Sequence, residues 1–260
     1  MNKSFDIKDI KVIQAPLAGV TDRVFRGLIR KFGSGCLMTT EMISSEMLCN
    51  NPEPRIIQFE EFEHPLSFQL VGHKIDKMTK AAKIVAPFAD VIDINCGCPV
   101  KKVVVSGDGS AMMRTPKLIY EIIQSIKEAV NLPLSVKFRL GWSLDEENYI
   151  EFAKTVESAG ADFVTLHART RSQLYQGSAD WKKIGLLKKE LKIPVFANGD
   201  IKTTEDVKNC IKDSNADGVS VGRGIMGDFT LPYRIEQYFK KGVILPPPSF
   251  EEKIAMLKEH

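Results

Sequence analysis

Short apolar runs alternate with amphipathic segments along most of the chain, and this alternation predicts strands separated by helices. The runs are apolar almost throughout, as expected of strands in a parallel sheet that is covered by helices. The eight predicted strands are Val12–Ala15, Leu37–Thr40, Leu66–Leu70, Val91–Asn95, Leu134–Leu140, Phe163–His167, Pro194–Asn198 and Gly218–Val221. Eight strand and helix units in one chain favour an α/β fold closed into a (β/α)8 TIM barrel.

An open, doubly wound dinucleotide-binding sheet is the alternative arrangement of such elements. That fold calls for G-x-G-x-x-G directly after the first strand, whereas here the strand runs into Ala15–Gly19, which lacks the spacing. Gly107-Asp108-Gly109 lies far downstream and follows no strand directly. The clearest helical patterns between the strands are Asp22–Phe32, Ile75–Ala86, Thr115–Ala129 and Glu147–Ala159.

A different kind of segment follows the barrel pattern. Gly242 and the run Pro246-Pro247-Pro248 are typical of a linker. Ser249 and Glu252 form a capping box that predicts a helix over Phe250–His260. We assign residues 1–240 to the barrel and 241–260 to a linker and a first helix. Since about three helical turns bury little on their own, we expect this helix to open a helical domain that is missing or truncated.

Composition narrows the classes of protein and of partner. The chain has 260 residues, 43% of them hydrophobic, which suffices for one large core without disulfides or metals. The formal net charge of +3 permits a polyanionic partner without requiring one. The sequence has no apolar run of about 18 residues and no apolar segment near its start, so we expect no membrane span, no export and a cytoplasmic location.

The cysteines predict free thiols in a reducing compartment, because their number is odd and the core is large. Cys96 and Cys98 flank a glycine after the fourth predicted strand. C-x-C is a poor metal signature without a second pair nearby, and dithiols usually have C-x-x-C spacing, so we predict no metal. We interpret Cys96 as structural. Cys98 lies in a glycine and proline loop, and a thiol of ordinary pKa, about 8.5, can donate a proton there. The five cysteines are Cys36, Cys49, Cys96, Cys98 and Cys210.

Polar side chains occur at the carboxyl ends of several predicted strands. The two-residue period puts Lys137 with Arg139 on one face of their strand. One such residue could simply pair with a neighbour at the rim. Four strands that end this way favour an active site, because barrel sites draw on several strand ends. The other residues of this kind are Asp93, Asn95, Thr165, His167 and Asn198.

The loops after the last two predicted strands read Asn198-Gly199-Asp200 and Gly222-Arg223-Gly224. Glycines let backbone N–H groups approach an anion, and barrels commonly bind phosphate after strands seven and eight. Arg223 would add a charged donor fork. Two ordinary glycine turns are the alternative, but their joint placement favours a ligand that carries phosphate.

Taken together, the motifs resemble the tRNA-dihydrouridine synthase family from about Ile10 to Gly227. Two of them resemble the opening motif and the catalytic loop of that family, namely Ala15–Asp22 (APLAGVTD) and Asp93–Pro99 (DINCGCP). The others are Gln69–Gly72 (QLVG), Val136–Trp142 (VKFRLGW), His167–Arg171 (HARTR), Asn198–Ile201 (NGDI) and Gly222–Gly224 (GRG). The resemblance implies bound FMN, NADPH as reductant and uridine in tRNA as substrate.

The resemblance also implies a role for each matching residue. Pro16, Leu17 and Ala18 would line the flavin ring edge, with Gln69, Lys137 and His167 around the ring. The ribityl phosphate end would be held by Asn198, Gly199, Asp200, Gly222 and Arg223. The flavin would pass hydride to C6 of uracil and Cys98 would protonate C5, while Lys137 would stabilise negative charge on the reduced flavin.

The base must leave its stack to reach the flavin, and Asn95 and Arg139 are the expected contacts to it. Lys101, Lys102, Arg169 and Arg171 lie on the same face and would meet tRNA phosphates, unless they form only a solvated charged surface. The resemblance also implies that the predicted last helix begins a helical RNA-binding domain.

Val105 and Asp108 stand where relatives often have a basic and a small residue, which affects expected RNA contacts more than chemistry. A barrel oxidoreductase like dihydroorotate dehydrogenase is the alternative flavin enzyme, but the NCGCP loop fits it less well. A lyase that uses Lys137 as a Schiff-base nucleophile is a second alternative. A third is an RNA-binding scaffold with an inactive site.

Overall fold

The computed structural model describes residues 6–50 and 57–259 and consists of parallel strands that alternate with helices. Nearly all residues of the strands are buried, on both faces of the sheet, and this burial explains why the strand segments are apolar in sequence. They are β1 (Val12–Gln14), β2 (Met38–Thr39), β3 (Ile43–Ser44), β4 (Leu66–Val71), β5 (Val91–Cys96), β6 (Leu134–Arg139), β7 (Phe163–His167), β8 (Val195–Asn198) and β9 (Gly218–Val221).

Most of the helices lie outside the strands and turn their apolar faces toward them, whereas the short helix at Lys101–Val105 buries no residue. They are α1 (Arg23–Lys31), α2 (Ser45–Asn50), α3 (Ile75–Val85), α4 (Lys101–Val105), α5 (Pro116–Ala129), α6 (Tyr149–Ser158), α7 (Trp181–Glu190), α8 (Thr204–Ser214), α9 (Leu231–Lys241) and α10 (Phe250–Glu259).

The sheet closes into a ring of parallel strands in the order β1-β9-β8-β7-β6-β5-β4-β2. A parallel bridge between Ile13 and Leu37 joins β2 back to β1. The short strand β3 pairs only with β4. The predicted α/β class and TIM barrel are confirmed, and all carboxyl strand ends meet at one rim.

Two apolar regions stabilise this barrel. The larger lies between strands and helices. The smaller fills the interior near the amino ends of the strands, where Phe163 and Phe196 pack edge to face with ring centroids 5.4 Å apart. We call this interior region the lower layer; its buried members are Ile10, Ile13, Leu37, Val91, Phe163 and Phe196. It fills the barrel interior at the end opposite the rim formed by the carboxyl ends of the strands.

The predicted elements are confirmed with boundary shifts of one or two residues at most ends. The helix predicted over Asp22–Phe32 begins at Arg23, because the Asp22 carboxylate accepts from the N–H of Phe25 and caps the helix. The sequence pattern did not predict β3 and α2, which are too short to show a period.

The carboxyl-terminal segment follows the predicted pattern. Helix α9 ends at Lys241 and is capped by Gly242, whose φ of 69° lies in the left-handed region that favours glycine. Ser249 and Glu252 exchange the two hydrogen bonds of a capping box at the start of α10. The last predicted helical residue, His260, lies outside the described residues. No helix in the described part of the chain is long and apolar enough to cross a membrane.

Candidate active site

A cavity of about 380 Å³ opens at the rim formed by the carboxyl ends of the strands. Its volume is that of a small-molecule site. The predicted strand-end residues Asp93 and Thr165 do not line it, but every residue to which the sequence assigned a role toward the flavin or the uracil base does. These are Pro16, Leu17, Ala18, Gln69, Asn95, Cys98, Lys137, Arg139, His167, Asn198, Gly199, Asp200, Gly222 and Arg223. Those on strands are brought together by register, since Asn95 pairs with Lys137, Arg139 with His167, and His167 with Asn198.

Lys137 supplies a cation at the floor of the cavity. Its Nζ donates to Asn198 Oδ1 at 3.1 Å. Burial, reinforced by the neighbouring Arg139 charge, lowers the pKa of Lys137 to about 8. The ammonium is still charged at neutral pH, but it is poorly solvated. A negative charge that developed beside it would be strongly stabilised.

His167 is a neutral side chain in this site. Burial, with the Arg139 and Lys137 charges nearby, lowers its pKa well below the ordinary value. Arg169 Nη1 lies 3.4 Å from His167 Nε2. Because a guanidinium can only donate, Nε2 is the acceptor and the ring proton belongs on Nδ1. His167 can therefore offer a ligand one neutral hydrogen bond.

The Cys98 loop is held by hydrogen bonds at both ends. Asn95 Oδ1 accepts from the N–H groups of Gly97, at 3.1 Å, and of Cys98, at 2.8 Å. The Cys98 carbonyl accepts from the N–H of Ser110 at 3.0 Å. A Cβ on Gly109, whose φ is +60°, would come within 2.7 Å of that carbonyl, so only glycine fits there.

The two cysteines beside Gly97 have different surroundings. Cys98 is half-buried and lines the cavity, and burial raises the pKa of its thiol. The thiol is protonated at neutral pH and can give up its proton to a bound group. Cys96 is completely buried and belongs to the core outside the strands. The structure thus puts the Cys98 thiol on the cavity and the Cys96 thiol in the core.

The far end of the cavity has backbone donors suited to an anion. The N–H groups of Gly199, Gly222 and Arg223 have no hydrogen-bond acceptor among the described residues. The loops after β8 and β9 pack tightly, since a Cβ on Gly224 would lie 2.3 Å from the Ile201 carbonyl oxygen. Residues Arg223–Ile225 form a 3-10 turn directly after β9. This is the loop arrangement that barrels use for phosphate.

Arg223 is half-exposed over this end. Its guanidinium lies 4.7 Å above the Tyr175 ring centroid and 3.6 Å from an Asp200 carboxylate oxygen. The Asp200 carboxylate is itself bound by Arg169, at 2.6 and 2.8 Å, and by the N–H of Ala179. These contacts lower the pKa of Asp200, although partial burial opposes them. Asp200 therefore supports the two arginines more than it faces a ligand.

The expectation that Arg169 meets tRNA phosphates was wrong. Its side chain is 2% exposed and donates to the carbonyls of Gln176 and Gly177 as well as to Asp200. The two-residue period of β7, continued one step past the strand end, places Arg169 with His167 on the inner side. That signal was present in the sequence.

The other three basic residues differ in their surroundings. Lys101 and Lys102 are exposed at the start of α4. The guanidinium carbon of Arg171 lies 4.6 Å from the Trp142 ring centroid.

Several lining residues were not found from the sequence, among them Tyr175 and Met42. Tyr175 lies in the long loop after β7 and contacts Arg139, Arg223 and His167. Met42 lies between β2 and β3. Loop residues carry no period, so no pattern marks them. The described residues contain no group of three or more acidic, histidine or cysteine side chains arranged to hold a metal ion.

Comparison with known proteins places this site in a family. The dihydrouridine synthase (Dus) profile matches residues 13–260. A probable tRNA-dihydrouridine synthase 1 from Synechocystis is 41% identical over 96% of this chain and 71% of its own length. tRNA-dihydrouridine synthase B from Pseudomonas putida is 39% identical over 96% of this chain and 74% of its own length.

Solved structures support the fold. An old yellow enzyme homologue from Zymomonas mobilis superposes with a TM-score of 0.60 at 14% identity, over 94% of this chain and 92% of that one. A 2-naphthoyl-CoA reductase complex gives a TM-score of 0.67 at 12% identity, over 86% of this chain and 49% of that one. The family match does not favour the alternative related to dihydroorotate dehydrogenase. The chain belongs to the dihydrouridine synthase family.

Proposed function

We propose that this chain is a flavin-dependent tRNA-dihydrouridine synthase that reduces the C5–C6 double bond of uridine in tRNA, with FMN as prosthetic group and NADPH as reductant. The observation that carries the proposal is the half-buried Cys98 thiol on the same cavity as the Lys137 ammonium. A proton donor and a buried cation beside one ligand suit a hydride transfer that is completed by a proton transfer. Family membership supplies the substrate class.

The donor set fits FMN. The unpaired N–H groups of Gly199, Gly222 and Arg223 would take the phosphate, with the Arg223 side chain as a further donor. Asn198 and Asp200 lie at the same end. Pro16, Leu17 and Ala18 would form the wall along the ring, and Gln69, Lys137 and His167 would surround its polar edge. Held by these residues, FMN would supply the chemistry of hydride transfer between NADPH and C6 of the uracil ring.

Lys137 would stabilise negative charge on the ligand. Its ammonium is fixed by Asn198 and poorly solvated, so it needs no reorganisation during the reaction. His167 would add one hydrogen bond from its neutral ring. These two residues are the electrostatic part of the proposed chemistry.

Cys98 would complete the reduction. Hydride delivery to C6 leaves an electron pair on C5, conjugated with the C4 carbonyl. The Cys98 thiol transfers its proton to C5, and the thiolate that remains regains a proton from solvent. The raised pKa of Cys98 keeps the proton in place until the carbon becomes basic.

The uracil base would enter from the open rim as a flipped nucleotide. Arg139 donates to the carbonyls of Gly97, Thr170 and Leu174 through Nε and Nη1, and its Nη2 has no acceptor among the described residues. We assign that Nη2 to a uracil carbonyl. Asn95 lines the cavity too, but its polar atoms already bind Gln69 and the Cys98 loop.

The remaining predictions belong to the same proposal. Lys101 and Lys102 would contact tRNA phosphates near the rim. The helix α10 would begin a helical RNA-binding domain, and a tRNA-modifying enzyme of this kind works in the cytoplasm.

Nucleoside mass spectrometry tests the proposal. The enzyme, FMN, NADPH and an unmodified tRNA transcript should yield dihydrouridine, and omission of NADPH should abolish it. A protein that binds FMN and is reduced by NADPH, yet forms no dihydrouridine on any tRNA of a full transcript set, would contradict the assigned substrate.

A further inference from the structure

A buried carboxylate lies beneath the cavity and takes no part in the chemistry described above. Asp93, on β5, is 6% exposed and does not line the main cavity. Its two oxygens accept from the Ser135 hydroxyl, at 2.5 Å, and from Gln69 Nε2, at 2.6 Å. An ionisable group buried this deeply is costly in a barrel interior unless its neighbours use its charge.

The hydrogen bonds continue from Asp93 to the Cys98 loop. Gln69 Oε1 accepts from Asn95 Nδ2 at 2.8 Å. Asn95 Oδ1 then accepts from the N–H groups of Gly97 and Cys98. Every polar side-chain atom along this line has a partner. We call the three side chains of Asp93, Gln69 and Asn95 the relay.

The direction of each hydrogen bond follows from the one before it. A carboxylate only accepts, so Gln69 must turn its NH₂ group toward Asp93 and its carbonyl oxygen toward Asn95. Asn95 must then turn its NH₂ group toward Gln69, which leaves its carbonyl oxygen for the loop. A reversed Asn95 would place its NH₂ group against the N–H of Cys98 and would release the loop.

We propose that Asp93 is a positioning residue whose carboxylate sets the orientation of Gln69 and Asn95 and thereby fixes the Cys98 loop. The role in uridine reduction rests on the function proposed for Cys98, but the fixing of the loop does not. Burial raises the pKa of Asp93 to about 6, with the Ser135 and Gln69 hydrogen bonds and the Lys137 charge opposing the rise. The carboxylate form that the relay needs therefore prevails at neutral pH.

The test measures how firmly the Cys98 loop is held, because a loosened loop exposes the Cys98 thiol to reagent. Iodoacetamide labelling, followed by peptide mass spectrometry, gives the rate at Cys98, and Cys49 on α2 serves as a half-buried reference thiol in the same molecule. Gln69→Glu puts two carboxyl groups in contact, and in alkaline labelling buffer, where both are ionised, neither can donate to the other. The Cys98 rate should then rise about tenfold or more, the change expected when one net hydrogen bond is lost.

Adding Asp93→Asn should reverse this effect. In the double variant the new amide at position 93 donates to the new carboxylate at position 69, which still accepts from Asn95. Cys98 labelling should therefore return to within about twofold of the wild-type rate. Asp93→Asn alone should raise the rate, though by less than Gln69→Glu, because an amide at position 93 can either accept from Gln69 or donate to it and so no longer fixes the orientation of the relay. Cys49 should react equally in all forms.

Two further variants complete the design. Gln69→Met removes donor and acceptor at similar volume, so it should raise the Cys98 rate with or without Asp93→Asn; it also replaces Gln69→Glu if that form does not fold. Ser67→Ala is the matched control, since this buried hydroxyl on β4 has no partner among the described residues, and it should leave Cys98 labelling unchanged.

Equal Cys98 rates in wild type and Gln69→Met, or a double variant as reactive as Gln69→Glu, would overturn the proposal. The labelling measurements require neither FMN nor tRNA. If the labelling pattern holds and no dihydrouridine forms, the relay stands and the proposed function fails.

Discussion

The two ends of the barrel interior are built by the same strands and serve different purposes. Strand β7 gives Phe163 to the lower layer and His167 to the cavity, and β8 likewise gives Phe196 and Asn198. The lower layer is apolar and closely packed. At the cavity end, burial, reinforced by the neighbouring Arg139 charge, lowers the pKa of Lys137 and His167. On each of these strands, the residue that stabilises the lower layer and the residue that lines the cavity are therefore only two to four positions apart.

The largest effect on stability should come from the lower layer. Phe196→Ala removes a completely buried ring that packs on Phe163, which should lower the free energy of unfolding by about 3–5 kcal/mol. Urea denaturation measures the loss. The FMN dissociation constant of the folded variant should stay within about twofold, and a large change in it would show that the two ends are not separable.

Lys137→Met should act in the opposite direction on stability. Since the pKa of Lys137 falls from its ordinary value to about 8 on folding, the unfolded chain binds the proton more tightly. This cost of folding is fully present below pH 8 and disappears as the pH rises toward 10.5. The apo variant should thus be more stable than wild type at pH 7, by at most about 3 kcal/mol.

The gain from Lys137→Met should shrink between pH 8 and 10.5, as thermal unfolding across this range would show. Flavin reduction by NADPH should meanwhile slow by about 10²–10³-fold, the usual effect of removing one electrostatic donor. If the variant is less stable than wild type at pH 7, burial of the ammonium does not destabilise the fold. If its flavin is reduced at the wild-type rate, the ammonium does not assist the reaction.

Arg223 should have a smaller effect that concerns the ligand alone. Arg223→Ala loses a charged donor fork and should weaken FMN binding by about tenfold or more, whereas Arg223→Lys keeps the charge and should weaken it less. Quenching of FMN fluorescence gives the three dissociation constants. If they are equal, Arg223 does not contact the phosphate.

The smallest effect should come from the exposed lysines of α4. Replacing Lys101 and Lys102 by alanine should weaken tRNA binding only a few fold and reduce the salt slope by about one per lysine. Filter binding between 50 and 200 mM salt, about the range in which such slopes are measured, gives this quantity. If the salt dependence of tRNA affinity is unchanged, Lys101 and Lys102 do not contact tRNA phosphates.

The strands could be predicted from the sequence because burial on both faces makes them apolar. The cavity residues on strands could be predicted as well, since Lys137, Arg139 and Asn198 are polar where only a site explains them. The loop residue Tyr175 could not, because its place depends on how the segment after β7 folds back over the rim. The role of Arg169 was misjudged because the strand's period was not continued past its end.

The relay also lay beyond sequence reasoning. Asp93 and Asn95 were assigned to one face of a strand, but the hydrogen bonds through Gln69 depend on the register of β4 against β5, which pairs Gln69 with Asp93. Register between separate strands leaves no local trace in a sequence. Only the assembled barrel shows that the carboxylate and the Cys98 loop are connected.

Cys98 is the proposed proton donor to the substrate, and the two neighbouring cysteines test this role most directly. Stopped-flow measurement follows reoxidation by tRNA of enzyme that NADPH has already reduced. Cys98→Ala should leave flavin reduction intact and slow reoxidation by about 10²–10⁴-fold, since a positioned general acid is lost. Cys96→Ala, in the core, should reoxidise close to the wild-type rate. If Cys96→Ala abolished reoxidation while Cys98→Ala did not, the assignment would be reversed; if neither slowed it, the proton would come from another group.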